Sequence, residues 1–185
     1  MRLAVLGSTR GSSLQPVLDA IAAGMLSAEV AVVISNNEEA GILSRARAHH
    51  IPAVWVHAAD RAAAEADILQ ILRRYAVDAV LLVGWMRILS PEFVALWGRR
   101  TVNVHPSLLP SFAGLMNEAV HQAVLDSGET FTGCTVHRVS DAVDCGEILI
   151  QKKCAVLPED TVSTLKAKVQ ALEGAALIDA IREKL

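Results

Sequence analysis

The segment R-L-A-V-L-G-S-T-R-G-S-S at residues 2–13 opens the chain and sets the terms of its fold. Leu3–Gly7 is a short apolar run, too brief for a helix, and reads as a core strand. Ser8–Ser13 is a Gly/Ser loop. From about Ser12 to Ala23 the apolar residues take helical spacing, and Gly24 stands behind them as a stop. The strand–loop–helix step then recurs. Glu29–Ile34, Ala53–Val56, Ala79–Val83 and Thr101–Val104 read as further strands, with helices over Ala40–His49, Asp60–Tyr75 and Ser90–Trp97 between them. Ser90 and Pro91 give the last of these an N-cap and a pre-set first residue. Alternation of this kind predicts an α/β fold, a mostly parallel sheet with right-handed crossovers and helices on both faces.

The pattern changes after a loop at His105–Gly114. A short helix near Asn117–Leu125 precedes two antiparallel strands, Phe131–Val139 and Glu147–Val156, and a closing helix runs from about Thr161 to Lys184. No repeat, low-complexity run or linker interrupts the series, so residues 1–185 are expected to form one domain.

Composition narrows the function classes. The 185 residues are 52% hydrophobic and 20% charged, with 17 Lys and Arg against 20 Asp and Glu and a net charge of −3. That balance offers no clustered basic face for nucleic acid. The mean hydropathy of +0.38 raises the question of a membrane, but the run at Ala79–Val83 falls far short of the roughly 20 residues of a span. A soluble protein is expected. The N-terminus has the features of neither a signal nor a transit peptide. Three cysteines, Cys134, Cys145 and Cys154, have no disulfide-like spacing and suit a reducing cytoplasm. Cys134 and His137 form a C-x-x-H, but without a second pair and on a strand it is a weak metal signal.

In open α/β sheets ligands bind beyond the carboxyl ends of the strands, which singles out three loops. In G-S-T-R-G-S-S at 7–13, Gly11, Ser12 and Ser13 suit a phosphate at a helix start, with Arg10 as a fork; the same residues suit a plain Ser-capped turn. The loop is not a Walker motif, which needs a Lys after the second Gly, and as a dinucleotide fingerprint it is weak, lacking the third Gly. In N-V-H-P-S-L-L-P at 103–110, Asn103 and His105 are two apart on a strand end, so their side chains point the same way and can address one atom. An amide donor beside an imidazole suits a developing oxyanion coupled to proton transfer; the bland alternative is a capped strand followed by a proline turn. Asp144, in D-A-V-D-C-G-E at 141–147, is either a loop-stabilising acid or the carboxylate that orients His105 and raises its pKa.

Taken together, S-x-x-G-S-x-L-Q at 8–15, G-W-M-R-I-L-S-P at 84–91, N-V-H-P-S-L-L-P at 103–110, T-G-C-T-V-H at 132–137 and D-x-x-D-x-G at 141–146 resemble the phosphoribosylglycinamide formyltransferase family, in order and interval, over nearly the whole chain. The resemblance implies a Rossmann-like formyltransferase fold. It implies transfer of a formyl group from 10-formyltetrahydrofolate, a co-substrate, to the amine of glycinamide ribonucleotide in purine biosynthesis, without a metal. Residue by residue, it implies Asn103, His105 and Asp144 as the catalytic trio. The folate side would use Arg61, Met86, Arg87, Ile88 and Leu89, with Ser140 and Asp141 opposite. The ribonucleotide side would use Gly11, Ser12 and Ser13 on the phosphate, and Gln170 and Glu173 on the last helix. Core packing is the rival reading for Met86, Ile88 and Leu89, and a solvated surface the rival for Glu173. Partners are expected to be small molecules, with neither nucleic acid nor membrane, in a cytoplasmic protein whose assembly, if any, is a homodimer.

The departures from the family pattern lie on the acceptor side. Thr9, Arg10 and Ser13 alter the phosphate loop; the run L-M-N-E-A-V-H-Q after Gly114 is longer than in relatives, with His121 expected on the helix surface; Gly174 replaces a usual His; and the chain stops at Leu185, earlier than many members. The alternatives that follow are the same donor with another small amine, such as an amino sugar; formyltetrahydrofolate deformylase, disfavoured because strand 1 begins at Arg2 with no regulatory domain ahead of it; and a folate or nucleotide sensor, which has no need of an oxyanion pair.

Overall fold

Seven strands form one sheet in the computed structural model, which describes residues 1–57 and 59–185. In chain order they are β1 (Arg2–Leu6), β2 (Glu29–Ser35), β3 (Ala53–Trp55), β4 (Ala79–Leu82), β5 (Thr101–His105), β6 (Phe131–Arg138) and β7 (Ile148–Ala155). Their spatial order is β3-β2-β1-β4-β5-β6-β7. β1 to β5 are parallel, and β6 pairs antiparallel with both β5 and β7. The α/β expectation holds, as do the antiparallel strands of the last third.

Period-2 alternation explains why the strands read as continuous apolar runs. In β1, Leu3 and Val5 enter one core while Ala4 and Leu6 enter the other; β4 divides Ala79 and Leu81 from Val80 and Leu82 in the same way. Helices α1 (Gln15–Ala22), α2 (Gly41–Ala48) and α6 (Val162–Glu183) close the first core. The second is closed by α3 (Arg61–Arg74) and α4 (Pro91–Trp97), through Ala64, Ile68, Leu72, Phe93 and Trp97. The helix α5 (Glu118–Ser127) packs against α6 and buries Val120, His121 and Val124.

The N-caps are those the sequence supplies: the Ser90 hydroxyl accepts from Phe93 N at 3.1 Å, and Asp60 accepts from the amides of Ala62 and Ala63. The first helix differs from expectation. Residues Ser12–Leu14 form a separate 3-10 turn, and α1 starts at Gln15 with Pro16 in its first turn. Gly11 just before the turn is left-handed at φ 64°, and a proline in the first turn costs a helix no hydrogen bond. No helix among the described residues is long and apolar enough to cross a membrane.

The chain leaves β1 for β2 and β3 on one side, then crosses back to β4 and β5 on the other. The strand order therefore reverses between β1 and β4, the place where such sheets open a crevice at their carboxyl ends.

Candidate active site

A cavity of about 460 Å³ occupies that crevice, within the usual range for a small-molecule site. The loop leaving β1 forms one end. The Ser8 hydroxyl donates to Asn36 Oδ1 at 2.6 Å and accepts from Met86 N at 3.0 Å, tying the loop to the segments that leave β2 and β4. Close approach is required at Gly84, which is left-handed at φ 62°; a Cβ there would lie 2.5 Å from Thr9 Oγ1. On the far side the Ser13 hydroxyl donates to the Glu173 carboxylate on α6. Glu173 is 8% exposed, and burial pushes its pKa up although the Ser13 hydrogen bond pulls the other way. It is a cavity residue rather than a solvated acid. Gln170 lines the cavity one turn earlier on the same helix. Gly174, next to Glu173, lets α6 sit against α1, where a Cβ would fall 2.5 Å from Pro16 Cγ. No larger side chain fits there.

At the centre, Val102 and Val104 of β5 point into the core, which turns Asn103 and His105 out of it and onto the cavity wall. The loop behind them is fastened by β6 and β7: Thr135 Oγ1 donates to Ser107 O at 2.7 Å and accepts from Leu109 N at 3.0 Å, and Gln151 Nε2 donates to Leu109 O at 2.9 Å. Asp144 arrives on the turn between β6 and β7 with a left-handed φ of 56°. One carboxylate oxygen lies 3.2 Å from His105 Nδ1 and accepts from Gly114 N at 2.9 Å; the other lies 3.4 Å from His137 Nε2. Asp144 therefore lies against His105, as one reading of it expects, and the loop it fixes is the distant one at Gly114 rather than its own.

Burial opposes charge on both groups. For Asp144 it raises the pKa, but the His137 hydrogen bond, the Gly114 amide and the two imidazoles outweigh it, and the carboxyl is held below its ordinary value. For His105, burial is the largest effect and lowers the pKa; Asp144 and the Phe112 carbonyl, 3.3 Å from Nε2, push it up without prevailing. Asp144 thus raises the His105 pKa, as expected of that pair, while burial lowers it by more, because a side chain 5% exposed loses more hydration than the partner restores.

The segment after β4 forms the other end. Leu89 is packed in the core at 8% exposure, whereas Ile88 is 62% exposed and Arg87 is exposed beside it, so core packing does not account for the run. A buried carboxylate holds the segment: Glu65 accepts from Ser90 N at 2.8 Å and from the Ser90 hydroxyl. Met86–Leu89, Ser140 and Asp141 all line the cavity. Arg61 does not; it lines a smaller adjoining pocket with Arg87 and Ile88.

Two lining residues were missed or misplaced in the sequence. His121, expected on a helix surface, is 2% exposed and faces the cavity, its Nδ1 without a partner among the described residues; α5 turns Val120, His121 and Val124 inward against α6. His137 stands directly across from Asn103 in the β5–β6 ladder, its Nε2 3.1 Å from Asn103 Nδ2. In the sequence His137 was read only as half of a C-x-x-H; its alternation with Thr135 tells that the two share a face but not that the face meets Asn103. Cys134 points to the opposite face, into the core, where burial raises its thiol pKa to about 12. Among the described residues no group of His, Cys, Asp and Glu is arranged to hold a metal ion.

The formyl transferase family model matches residues 1–181. The chain is 41% identical over 175 residues to the trifunctional purine biosynthetic protein adenosine-3 of Bos taurus, covering 93% of this chain and 17% of that protein. It is 37% identical over 178 residues to the phosphoribosylglycinamide formyltransferase of Escherichia coli (strain K12), covering 95% of this chain and 82% of that one. The crystal structure of glycinamide ribonucleotide transformylase 1 from Symbiobacterium toebii superposes with a TM-score of 0.92 at 38% identity, covering 98% of this chain and 86% of that one. The chain thus spans only a small part of the trifunctional relative and most of the other two.

Proposed function

The chain belongs to the phosphoribosylglycinamide formyltransferase family of formyl transferases, and on that footing we propose that it transfers the formyl group of 10-formyltetrahydrofolate to the primary amine of glycinamide ribonucleotide in purine biosynthesis. Residues 1–185 act as one catalytic domain, in the cytoplasm. The observation that carries the reading is the juxtaposition of Asn103 and His105 on one cavity wall, with Asp144 3.2 Å behind the imidazole. A glycine-bearing loop at a helix start, which suits a phosphate, lies at one end of that cavity and a partly exposed apolar segment at the other.

In this reading the acceptor amine attacks the formyl carbon, the C–N bond forms, and the carbonyl oxygen becomes an oxyanion. Asn103 Nδ2–H and protonated His105 donate to that oxygen, and donors of this kind each contribute a factor of roughly 100 to 1,000 in turnover. Asp144 stabilises the imidazolium through Nδ1 and helps pass the proton lost by the amine, through water, to the departing folate nitrogen. The C–N bond to that nitrogen then breaks. Gly11, Ser12 and Ser13 hold the acceptor phosphate, and Gln170 and Glu173 its ribose. Met86, Arg87, Ile88 and Leu89, faced by Ser140 and Asp141, hold the pteridine. Arg61, in the adjoining pocket, suits an acidic group at the far end of the donor.

Purified protein is incubated with glycinamide ribonucleotide and 10-formyltetrahydrofolate, and the folate product is followed. The expected result is turnover that His105→Ala lowers by roughly 100- to 1,000-fold; turnover no greater than in that variant overturns the reading. A second reading, transfer from the same donor to another small amine, is favoured by one observation: the Ser13 hydroxyl is already engaged by Glu173. It predicts that phosphate-bearing acceptors have no advantage over amino sugars.

A further inference from the structure

The mechanism above gives His137 no task, yet its ring is 3% exposed and touches both Asp144 and Asn103. Its Nδ1 lies 2.9 Å from Arg138 O. A carbonyl oxygen only accepts, so Nδ1 carries a hydrogen, and in the uncharged ring Nε2 is then a bare acceptor. Asn103 Nδ2 donates to it at 3.1 Å. Asp144 Oδ1, 3.4 Å from the same nitrogen, makes the opposite demand, for an N–H.

One nitrogen cannot meet both demands. An imidazole without hydrogen on Nε2 takes the amide N–H of Asn103; an imidazolium serves Asp144 and draws the amide oxygen of Asn103 instead. The state of His137 therefore selects which end of the Asn103 amide turns to the ladder and which end is left to the cavity. With one Nδ2 hydrogen held by Nε2, the second remains for an oxygen of the substrate. His105 acts in the same direction. Once it is protonated, its charge, 3.2 Å from Asp144, satisfies that carboxylate and relieves its claim on His137.

We propose that His137 is a positioning residue: by accepting at Nε2 from the Asn103 amide, it fixes that amide with an N–H toward the formyl oxygen. The proposal rests on the reading of Asn103 as an oxyanion donor, and its test separates the two. The first arm needs no turnover. Long-range proton–nitrogen correlation spectra of the imidazoles in the full chain are expected to show His137 with hydrogen on Nδ1 and a bare Nε2 whose resonance moves in Asn103→Ala. Hydrogen on Nε2, with or without one on Nδ1, overturns the proposal whatever the acceptor proves to be.

The second arm is a double-mutant cycle. His137→Leu lowers kcat by about 10- to 100-fold, as loss of an orienting partner does, and leaves both KM values within about twofold. His137→Gln, whose Oε1 can accept near the Nε2 position, restores kcat to within about fivefold of the parent, since it keeps the one hydrogen bond the role needs. In an Asn103→Ala background, His137→Leu costs nothing further. Equal losses in both backgrounds, or a Gln variant as impaired as Leu, would mean a role in packing alone and overturn the proposal.

Discussion

The two walls of the cavity are built by different means. Along the β5–β6 ladder and the turn after β6, the polar atoms are bound to one another: Asp144 to His105 and Gly114 N, His137 to Asn103 and Arg138 O. Across the cavity, where the turn Ser12–Leu14 meets α6, Ser13 with Glu173 joins the two elements over 160 residues of sequence. Adjacent strands hold side chains to the tolerance that chemistry requires, and residues that act through one another belong there. A turn facing a helix needs only to hold a substrate, and it is this wall that carries the unusual Thr9, Arg10 and Ser13. Substitutions on the strand wall are therefore expected to act on kcat, and those on the helix wall on acceptor KM.

The largest effect is expected at Asn103 and His105. Each Ala variant lowers kcat by roughly 100- to 1,000-fold, with acceptor and donor KM nearly unchanged in steady-state assays. The double variant loses much less than the product of the two, because both donors serve one oxygen. A large rise in acceptor KM at either position would break the division between the walls. Next comes Glu173→Gln, which keeps one acceptor oxygen but puts an amide N–H₂ in place of the other in a buried site, and raises acceptor KM about 10- to 100-fold. Its kcat and donor KM stay within about twofold if the helix wall only binds.

Asp144→Asn sharpens the comparison through pH. Burial already lowers the His105 pKa and Asp144 is the largest effect raising it, so removing that charge lowers it further. If the protonated imidazole is the working form, the alkaline limb of kcat/KM moves to lower pH in Asp144→Asn and stays in place in Glu173→Gln. The stability consequence has a definite sign. His105 and Asp144 both have folded pKa values below their unfolded ones. The unfolded chain then takes up protons more readily, and the fold weakens as pH falls, first through the histidine range and then through the carboxylate range. Thermal melts in Asp144→Asn show a weaker dependence in the carboxylate range, the remainder coming from Asp160 and Glu92, whose carboxyls are also held below their ordinary values.

What the sequence disclosed follows the same division. Strand ends were legible because period-2 alternation is local: V-N-V-H states that Asn103 and His105 share a side, whatever the rest of the chain does. The Ser90 cap was legible too, because a cap acts within its own first turn. His137 was not, because its place beside Asn103 depends on the register of β6 against β5, which no local pattern encodes. Nor was the burial of Glu173 and His121, on helices whose orientation is fixed by packing against each other and against the turn at Ser13. Arg61 shows the converse. The family resemblance, with no matched motif at its position, put it on the donor side, and its helix leaves it in the adjoining pocket.

The smallest effect is expected at Lys166, in the first turns of α6, where the helix wall reaches the cavity rim. Its ammonium lies 3.1 Å from a Glu118 carboxylate oxygen at the start of α5, with side chains 33% and 69% exposed. A pair so open to water contributes about 0–1 kcal/mol, and in a chain of this size that corresponds to a shift in Tm of at most about 4 °C. Lys166→Ala should therefore melt close to the parent, the difference shrinking further as salt is added. Lys166 also lines the cavity, but its charge is already engaged by Glu118 and screened by solvent. Acceptor KM should rise only about two- to threefold, on the order of the exposed pair's own free energy. A rise matching that of Glu173→Gln would extend the acceptor wall nearly two turns toward the start of α6. A fall in kcat without a change in KM would break the comparison outright, because it would place a residue of the helix wall among those that act on the reacting atoms.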